Sequence, residues 1–513
     1  MITPRAFRSL ALLLVVALAG AASARDAFAT YPFTVSEFRD AAALETACSA
    51  PAAASFWCDE LDTTLTRIPT KGVDLFFSPA GEVVAAFAKV QKGQQLNGYQ
   101  VEAGTNLIPS GGALPGAALL QDGAYLPPED VTGTWTADGP TTLVGTFTYR
   151  AGALDVAVRV VVSNTDQTLN YEVDVAAPTG VAAPTGVDAP ATVALGFVGI
   201  ARQATPTIKV GQGDSFTLNP LNVPVADPSY VSLQSNNRNS GDAIVLTPGS
   251  GGSPLAAVSL GERRIVMQAP LDGEARLVVD AYLGKNELVR YYQEGYDGLP
   301  GLFTPNILGR MSLWLLIALE FIHEYVGAWG LSIIVLTLLF RALVWPLITT
   351  QTKSMFGMQA LQPELQKLQK KHKDDREKLT QETMKLYKEA GVNPAGGCLP
   401  ILVQMPLFII LWRVFVNFEF NEGFLWVPDL GLPDPFYILP ALYVAVMLAQ
   451  SWFSAKGNPA MLRQSVIINL VFVFIMVGFP AGVLVYFVVS MGVQVFQYWL
   501  LSRNRPAPAA VKA

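Results

Sequence analysis

Apolar and polar positions follow two different patterns along this chain, and the change falls near residue 300. Before it, the runs GEVVAAFAKV (81–90), TLVGTFTY (142–149), LDVAVRVVV (154–162) and LNYEVDV (169–175) approximate a period of two. That period turns one side of an extended chain toward a core and predicts β-strands. Residues 262–283 continue it. Turn clusters at Gly111 and Gly112, Asp138 and Gly139, and Asp272 and Gly273 separate the runs. Many short strands so spaced predict a twisted β-sandwich over residues 25–300. The unit APTGV occurs at 177–181 and again at 183–187. Two copies are too few for a solenoid and read as a low-complexity loop.

Beyond residue 300 the apolar runs lengthen. Residues 328–348, 398–418, 436–453, 466–479 and 482–501 predict five membrane spans, the fourth of them short. Residues 305–326 are different. At a helical step Asn306, Arg310, Glu320 and Glu324 fall on one side, with Ser312 and His323 beside them and apolar residues elsewhere. This predicts a helix lying at the outer membrane surface. A sixth span would put Glu320 and Glu324 at an awkward depth. Residues 351–393 predict a helical hairpin. Leu361, Leu365 and Leu368 form the seam of one arm; Leu379, Thr383, Leu386 and Tyr387 form that of the other. Asp374, with Glu377 three residues on, reads as the cap of the second arm. Gly391 and Pro394 read as its stop, and Pro363 as a kink in the first arm. The loop is long for a connector and suits a paddle that touches membrane, RNA or protein.

The N-terminus adds a targeting segment. Arg5 and Arg8 precede an apolar stretch, residues 10–22, and Ala22, Ser23 and Ala24 make a small-x-small site. The stretch spans only ~20 Å as a helix, against a hydrocarbon core of ~30 Å. Residues 1–24 therefore read as a signal peptide, with an uncleaved N-terminal anchor as the alternative.

Composition narrows the class. Of 513 residues 51% are hydrophobic and 15% charged, and the mean hydropathy is +0.35. These values disfavour a wholly soluble enzyme, a disordered chain and a nucleic-acid binder. The net charge of −6 is uneven: residues 25–300 carry 16 basic and 29 acidic side chains, a net of −13, which leaves +7 for the rest. Nothing here attracts phosphate in general, so no specific DNA partner is expected. The basic residues orient the spans. Residues 351–393 hold nine Lys or Arg, the 454–464 loop has Lys456 and Arg463, and the tail has Arg503, Arg505 and Lys512. Residues 419–435 have none, and four acids. Basic loops stay cytoplasmic, so residues 25–300 are exported and the tail, 506–513, lies inside. Cys48 and Cys58 would share the oxidising side, and the sequence leaves open whether they pair. Cys398 reads as structural or incidental. Two histidines and three cysteines supply no metal motif. No P-loop, nucleophile elbow or pair of intramembrane carboxylates is present, so the chain reads as a protein without enzymatic activity or cofactor.

The chemistry concentrates on Arg341. It is seven residues from the inner end of the first span, a depth of ~10 Å. Facing lipid there is unfavourable by at least ~2.5 kcal/mol. It therefore faces a wet cavity, or its long side chain snorkels to the surface. No acidic residue occurs within the five spans, so Arg341 lacks a permanent carboxylate partner. An unpaired guanidinium in a groove is a site for a visiting anion. Gln404, Asn469, Ser490 and Gln494 can line the same recess, although each alone is commonly a hydrogen bond between helices. Arg413 is the second intramembrane cation. It lies near the outer end of its span and reads as snorkelling outward.

Six strings carry a family likeness: VGAWGLSII (326–334), FRALVWPL (340–347), LQPEL (361–365), NPAGGCLPILVQMP (393–406), DPFYILP (434–440) and FPAGVLVY (479–486). In this order and spacing, residues 297–505 resemble the YidC family of membrane protein insertases. The exported region resembles the family's large periplasmic supersandwich in placement and class. The resemblance implies a membrane protein with a five-helix insertase core at residues 301–505. It places Arg341 in a hydrophilic groove, open to cytoplasm and lipid and closed outside. That groove receives the short polar or acidic tail of a nascent membrane protein. The implied partners are nascent membrane proteins, the Sec translocon, the ribosome and membrane lipids, and no nucleotide is used. Family members of this type usually begin with an uncleaved anchor, from which this N-terminus departs. Arg413 stands where the family commonly has an uncharged residue facing substrate. The competing class is a small-solute transporter or channel. It would need a through-pathway and often an inverted repeat, and no repeat is seen among the spans. A scaffold binding exported partners is the third reading.

Overall fold

The structure is a computed structural model. It describes residues 28–42, 63–89, 117–177, 192–198, 206–235, 241–261, 263–373, 375–391, 399–420, 422–454 and 475–503, with a few short pieces between them. The signal segment, Gly111, Gly112, Cys48, Cys58, Cys398, Asn469, most of the APTGV repeat, the tail and most of the fourth predicted span lie outside the described residues. The chain divides into two compact units, with the boundary between Pro305 and Asn306.

The first unit is all β. Its nine-stranded antiparallel sheet runs in the order β13 (Ser215–Leu218), β12 (Thr207–Gln212), β15 (Tyr230–Gln234), β16 (Gly241–Pro248), β19 (Glu274–Asn286), β10 (Thr168–Ala176), β9 (Leu154–Ser163), β8 (Thr142–Ala151) and β7 (Pro128–Ala137). A six-stranded sheet runs β14 (Val225–Ala226), β17 (Ala256–Ser259), β18 (Arg264–Pro270), β11 (Thr192–Val198), β5 (Ala117–Gln121) and β6 (Ala124–Tyr125). The predicted alternation is clearest in β9, where Val156, Val158, Val160 and Val162 are buried and Asp155, Ala157 and Arg159 are exposed. Val160, Tyr171 and Val279 of the larger sheet share one core with Leu195, Ile265 and Met267 of the smaller. Asp272 and Gly273 make the turn into β19, with Gly273 left-handed.

A third, four-stranded sheet runs β1 (Tyr31–Thr34), β2 (Thr64–Pro69), β3 (Val73–Phe77) and β4 (Val83–Ala88). Here the expected alternation fails: β4 is buried on both sides over most of its length. The reason is that β4 serves two cores. Val83 and Ala86 face the sandwich, while Val84, Ala85 and Phe87 join Phe33, Phe38, Phe76 and Tyr99. Inside this sheet Asp74, fully buried, pairs with Lys89 Nζ at 2.6 Å and Arg67 Nη2 at 2.8 Å, and accepts from Tyr99 OH at 2.6 Å. At the end of the unit, α1 (Leu288–Gln293) carries Arg290, which pairs with Glu294 at 2.8 Å. Burial pushes the Glu294 carboxyl above its usual range, although Arg290 and hydrogen bonds from Thr168 and Gln167 pull the other way.

The second unit is helical. Its first helix, α2 (Ile307–Val326), starts where Asn306 Oδ1 accepts from Gly309 N at 2.7 Å and stops at a left-handed Gly327. It buries Gly309, Ser312, Leu316 and Leu319. The helices that follow are α3 (Trp329–Ala360), α4 (Gln362–Lys371), α5 (Arg376–Glu389), α6 (Leu399–Asn417), α7 (Ile438–Ser454) and α8 (Ala481–Arg503). By length and composition α3 and α8 are able to cross a membrane, while α6 and α7 are apolar over shorter stretches.

Three local expectations change. The helix of the first span does not end at Ile348 but runs on to Ala360, so the segment predicted as a hairpin from 351 begins as part of α3. Pro363 lies in the first turn of α4, where its missing N–H has no helical partner to lose, and it starts a helix rather than kinking one. The cap of α5 is Asp375, whose side chain accepts from Lys378 N at 3.0 Å, and Glu377 sits in the first turn.

Candidate functional site

Arg341 lies in the middle of α3 with 7% of its surface exposed. Thr337, one turn earlier on the same face, turns its hydroxyl back to Ile333 O at 2.6 Å. The guanidinium points at α8. Its Nε donates to Ser490 Oγ at 2.7 Å, and its Nη2 donates to the same oxygen. A guanidinium has five N–H donors, so one hydroxyl leaves three without a protein partner among the described residues. No Asp or Glu occurs in α3, α6, α7 or α8 to neutralise it.

Around this pair the chain places other polar groups. Tyr486 is one turn before Ser490 on α8 and shares its face. Its hydroxyl accepts from Gln404 Nε2 of α6 at 2.7 Å. Gln494 continues the face one turn further and is half-buried. The structure thus brings Arg341 and Ser490 into direct contact and joins Gln404 to α8 through Tyr486. Arg413 is not at this level. It lies nine residues beyond Gln404 on α6, ~13 Å along the axis. There it donates to Asn306 Oδ1 at 3.4 Å, at the cap of α2.

Sequence reasoning missed several members. Tyr486 is one; an aromatic in an apolar run gives no signal of its hydroxyl's partner. Gln497 is another: its Nε2 donates to Trp345 O at 3.0 Å and to Thr349 Oγ1 at 2.9 Å, bracing α8 on α3 beside Pro346. Gln351 is the third. It is 5% exposed, yet neither its amide oxygen nor its nitrogen has a partner among the described residues. For Gln497 a glutamine inside an apolar run was the available signal; Gln351 gave none, because the span was read as ending at residue 348. Beside the polar groups lies an apolar cavity of about 60 Å³, lined among others by Leu319, Ile333, Thr337, Phe340, Leu411 and Tyr486.

One end of the helical unit is closed by the loop between α6 and α7. Phe418, Phe420, Val427, Leu430 and Leu432 are buried there. Ala481 N donates to Leu432 O at 2.7 Å and Gly482 N to Leu430 O at 2.8 Å. Gly482 has no space for a side chain: a Cβ would sit 2.5 Å from the Phe415 ring. Buried Asp434 organises the loop, accepting from Leu439 N at 2.7 Å, Phe436 N at 3.0 Å and Trp426 Nε1 at 3.1 Å. Replacing it by alanine strands three donors, one buried and two part-buried, of which the buried one is unfavourable by ~1–3 kcal/mol and the other two are partly relieved by water. Asp434→Ala is expected to destabilise the helical unit by ~2–3 kcal/mol, read as a lowered Tm in detergent.

Comparison with known proteins places this arrangement. Residues 321–508 match the family model described as 60Kd inner membrane protein. The membrane protein insertase YidC of Deinococcus radiodurans is 34% identical over 355 residues, which cover 68% of this chain and 80% of that protein. The YidC of Maridesulfovibrio salexigens is 40% identical over 202 residues, covering 37% of this chain and 38% of that protein. A crystal structure of an active YidC insertase with its first transmembrane domain resolved has the same fold, with a TM-score of 0.51 at 19% identity, over 84% of this chain and 91% of that one. The large all-β unit and the helical C-terminal unit are the two parts of that fold. The chain belongs to the YidC family of membrane protein insertases.

Proposed function

We propose that the face carrying Arg341 is a hydrophilic groove, open to the cytoplasm and to lipid. It receives the polar or acidic tail of a nascent membrane protein. The observation that carries this reading is a buried guanidinium held by a neutral hydroxyl, with no carboxylate on α3, α6, α7 or α8. Ser490 orients the guanidinium but leaves its charge uncompensated. An unpaired buried charge is unfavourable by several kcal/mol, and a visiting carboxylate supplies the missing partner.

The remaining polar groups suit the same task. Hydrophilic backbone in hydrocarbon leaves unsatisfied N–H and C=O groups. Gln404, Gln494, Gln351 and Asn469 offer such backbone hydrogen bonds on its way. The substrate's apolar helix then leaves along exposed Leu338, Leu339 and Leu343 of α3. The closed loop at Asp434 is the outer end, so the tail crosses only the last part of the bilayer, with Arg413 near its exit. The membrane potential draws an acidic tail outward with ~2.3 kcal/mol per charge per 100 mV. In this reading the β unit is exported, the spans number five, and α4, α5 and the tail are cytoplasmic. The two arms meet substrate or ribosome, and the protein acts alone or with the Sec translocon, without a cofactor.

Photocrosslinking tests the groove. A benzoylphenylalanine at position 494, in liposomes containing only this protein, is expected to crosslink the acidic tail of a single-span substrate during insertion. The same probe at Thr134 of β7 is expected to give none. Insertion that proceeds without any crosslink from position 494 sinks the groove reading.

A further inference from the structure

We propose that the edge hairpin of β12 and β13, with the loop after it, rests on the outer leaflet of the bilayer and anchors the β unit there. The inference rests on reading α2 as a membrane-surface helix.

The hairpin exposes an apolar row that a water-facing edge would not keep. Phe216 is 42% exposed, Leu218 56%, Leu221 47% and Val223 58%. All lie within eight residues, on or just after β13, the terminal strand of the nine-stranded sheet. Exposed edge strands in water are normally blunted by charge or proline, because they invite pairing with another chain. On β13 itself Ser215 and Thr217 alternate with Phe216 and Leu218, with no charge or proline within the strand; Asp214 precedes it, and Pro220 and Pro224 come only in the loop after it.

The exit of the chain from the β unit is fastened at this same place. Lys209 Nζ of β12 donates to Gly301 O at 2.6 Å and Leu302 O at 3.1 Å, and stands over the Phe216 ring. Tyr230 OH donates to Pro300 O at 2.7 Å, and Gln234 Nε2 to Leu302 O at 2.8 Å. Gly301 touches Phe216 so closely that a Cβ would lie 2.1 Å from the ring. Leu302 is buried. Five residues later α2 begins. Fully extended, they span at most ~17 Å. The apolar row is thus tied to a stretch of chain that ends five residues before α2.

Depth follows from the backbone. Among the described residues β13 pairs on one side only, so its other edge carries N–H and C=O groups outside any ladder. Those groups cannot enter hydrocarbon. They can sit in the hydrated headgroup zone, ~6 Å thick per leaflet. The hairpin therefore dips its apolar side chains while its backbone stays wet.

The test uses full-length protein with its three cysteines replaced by serine, in phosphatidylethanolamine–phosphatidylglycerol vesicles. An environment-sensitive fluorophore is attached at Leu218→Cys, Leu221→Cys, Thr134→Cys or Ile317→Cys. Thr134 is exposed on β7, eight strand spacings or ~38 Å from β13 across the sheet. Ile317 is on the exposed side of α2. The expected result is a blue shift at positions 218 and 221, and quenching there by shallow but not deep spin-labelled lipid. Position 134 remains unquenched and position 317 is quenched. If 218 and 221 behave like 134 while 317 is quenched, the hairpin is not on lipid and only this proposal falls. If 317 is unquenched as well, the reading of α2 falls and this one with it. A shift at 218 seen in native membranes but not in vesicles assigns the edge to a protein partner and overturns the lipid assignment.

Discussion

Arg341→Glu is expected to abolish insertion of substrates whose outward tail is acidic. Arg341→Ala is expected to slow it at least tenfold, and Arg341→Lys to fall in between. The scale comes from charge at close range. A carboxylate ~4 Å from the guanidinium gains ~4 kcal/mol at an effective dielectric of 20. Desolvation of the tail consumes much of this. If about one third survives, the rate changes by about tenfold, since 1.4 kcal/mol is a factor of ten. Lysine keeps the charge but not the two donors that Ser490 Oγ receives from Nε and Nη2, so its ammonium is held less firmly. Glutamate turns attraction into repulsion. Ser490→Ala removes the orienting hydroxyl while leaving the cation in place, and its effect will be smaller than that of Arg341→Ala. Protease protection of the tail, in a depletion strain or in proteoliposomes, reads each rate. Substrates with uncharged tails serve as the internal control and lose much less. Acidic-tailed substrates inserting at the wild-type rate in all three Arg341 variants would exclude a role for its charge.

Much of the architecture behind this prediction was legible in residue order alone. β9 and β10 alternate as written, because one side of the sheet meets core and the other water. α2 runs over Ile307–Val326, within the helix predicted at 305–326, and Asn306, read in the sequence only as part of its polar stripe, caps it by satisfying one of the helix's free N–H groups. Arg341 stood out because a charge is rare in an apolar run. What could not be read was which groups meet across space. Ser490 reaches Arg341 from 149 residues away, and Gln404 meets Tyr486 across 82. Periodicity says which face a residue occupies, not which helix lies opposite. The end of α3 was missed for a different reason. Polarity changes near Lys353, which marks where hydrocarbon ends, but the backbone keeps its helical hydrogen bonds to Ala360. The double burial of β4 was hidden because small and apolar residues on both sides look the same whether one core or two are present.

The four-stranded sheet carries the second large effect. Asp74→Ala is expected to destabilise it by ~3–5 kcal/mol, the range for removing one partner of a buried ion pair. Two cations depend on this carboxylate. Arg67 retains 16% side-chain exposure and can turn partly to water. Lys89 retains 6% and cannot; its other contact is Thr70 O at 2.7 Å, a neutral acceptor. Tyr99 OH also loses its acceptor. Asp74→Asn keeps the volume and an oxygen, and will lose less. Asp74→Leu combined with Lys89→Met replaces the buried lysine pair by apolar atoms and is expected to recover most of the loss, because no ammonium is then left buried there and Arg67, with 16% of its side chain exposed, can turn partly to water. Hydrogen-exchange protection of the β2 and β3 amides in the full-length protein measures all three. A change under ~1 kcal/mol for Asp74→Ala would mean that water reaches Lys89 and the pair is not what holds the sheet. The same variant separates folding from mechanism. Its insertion defect arises from less folded protein and will be equal for acidic and uncharged tails, whereas that of Arg341→Ala depends on the charge of the tail.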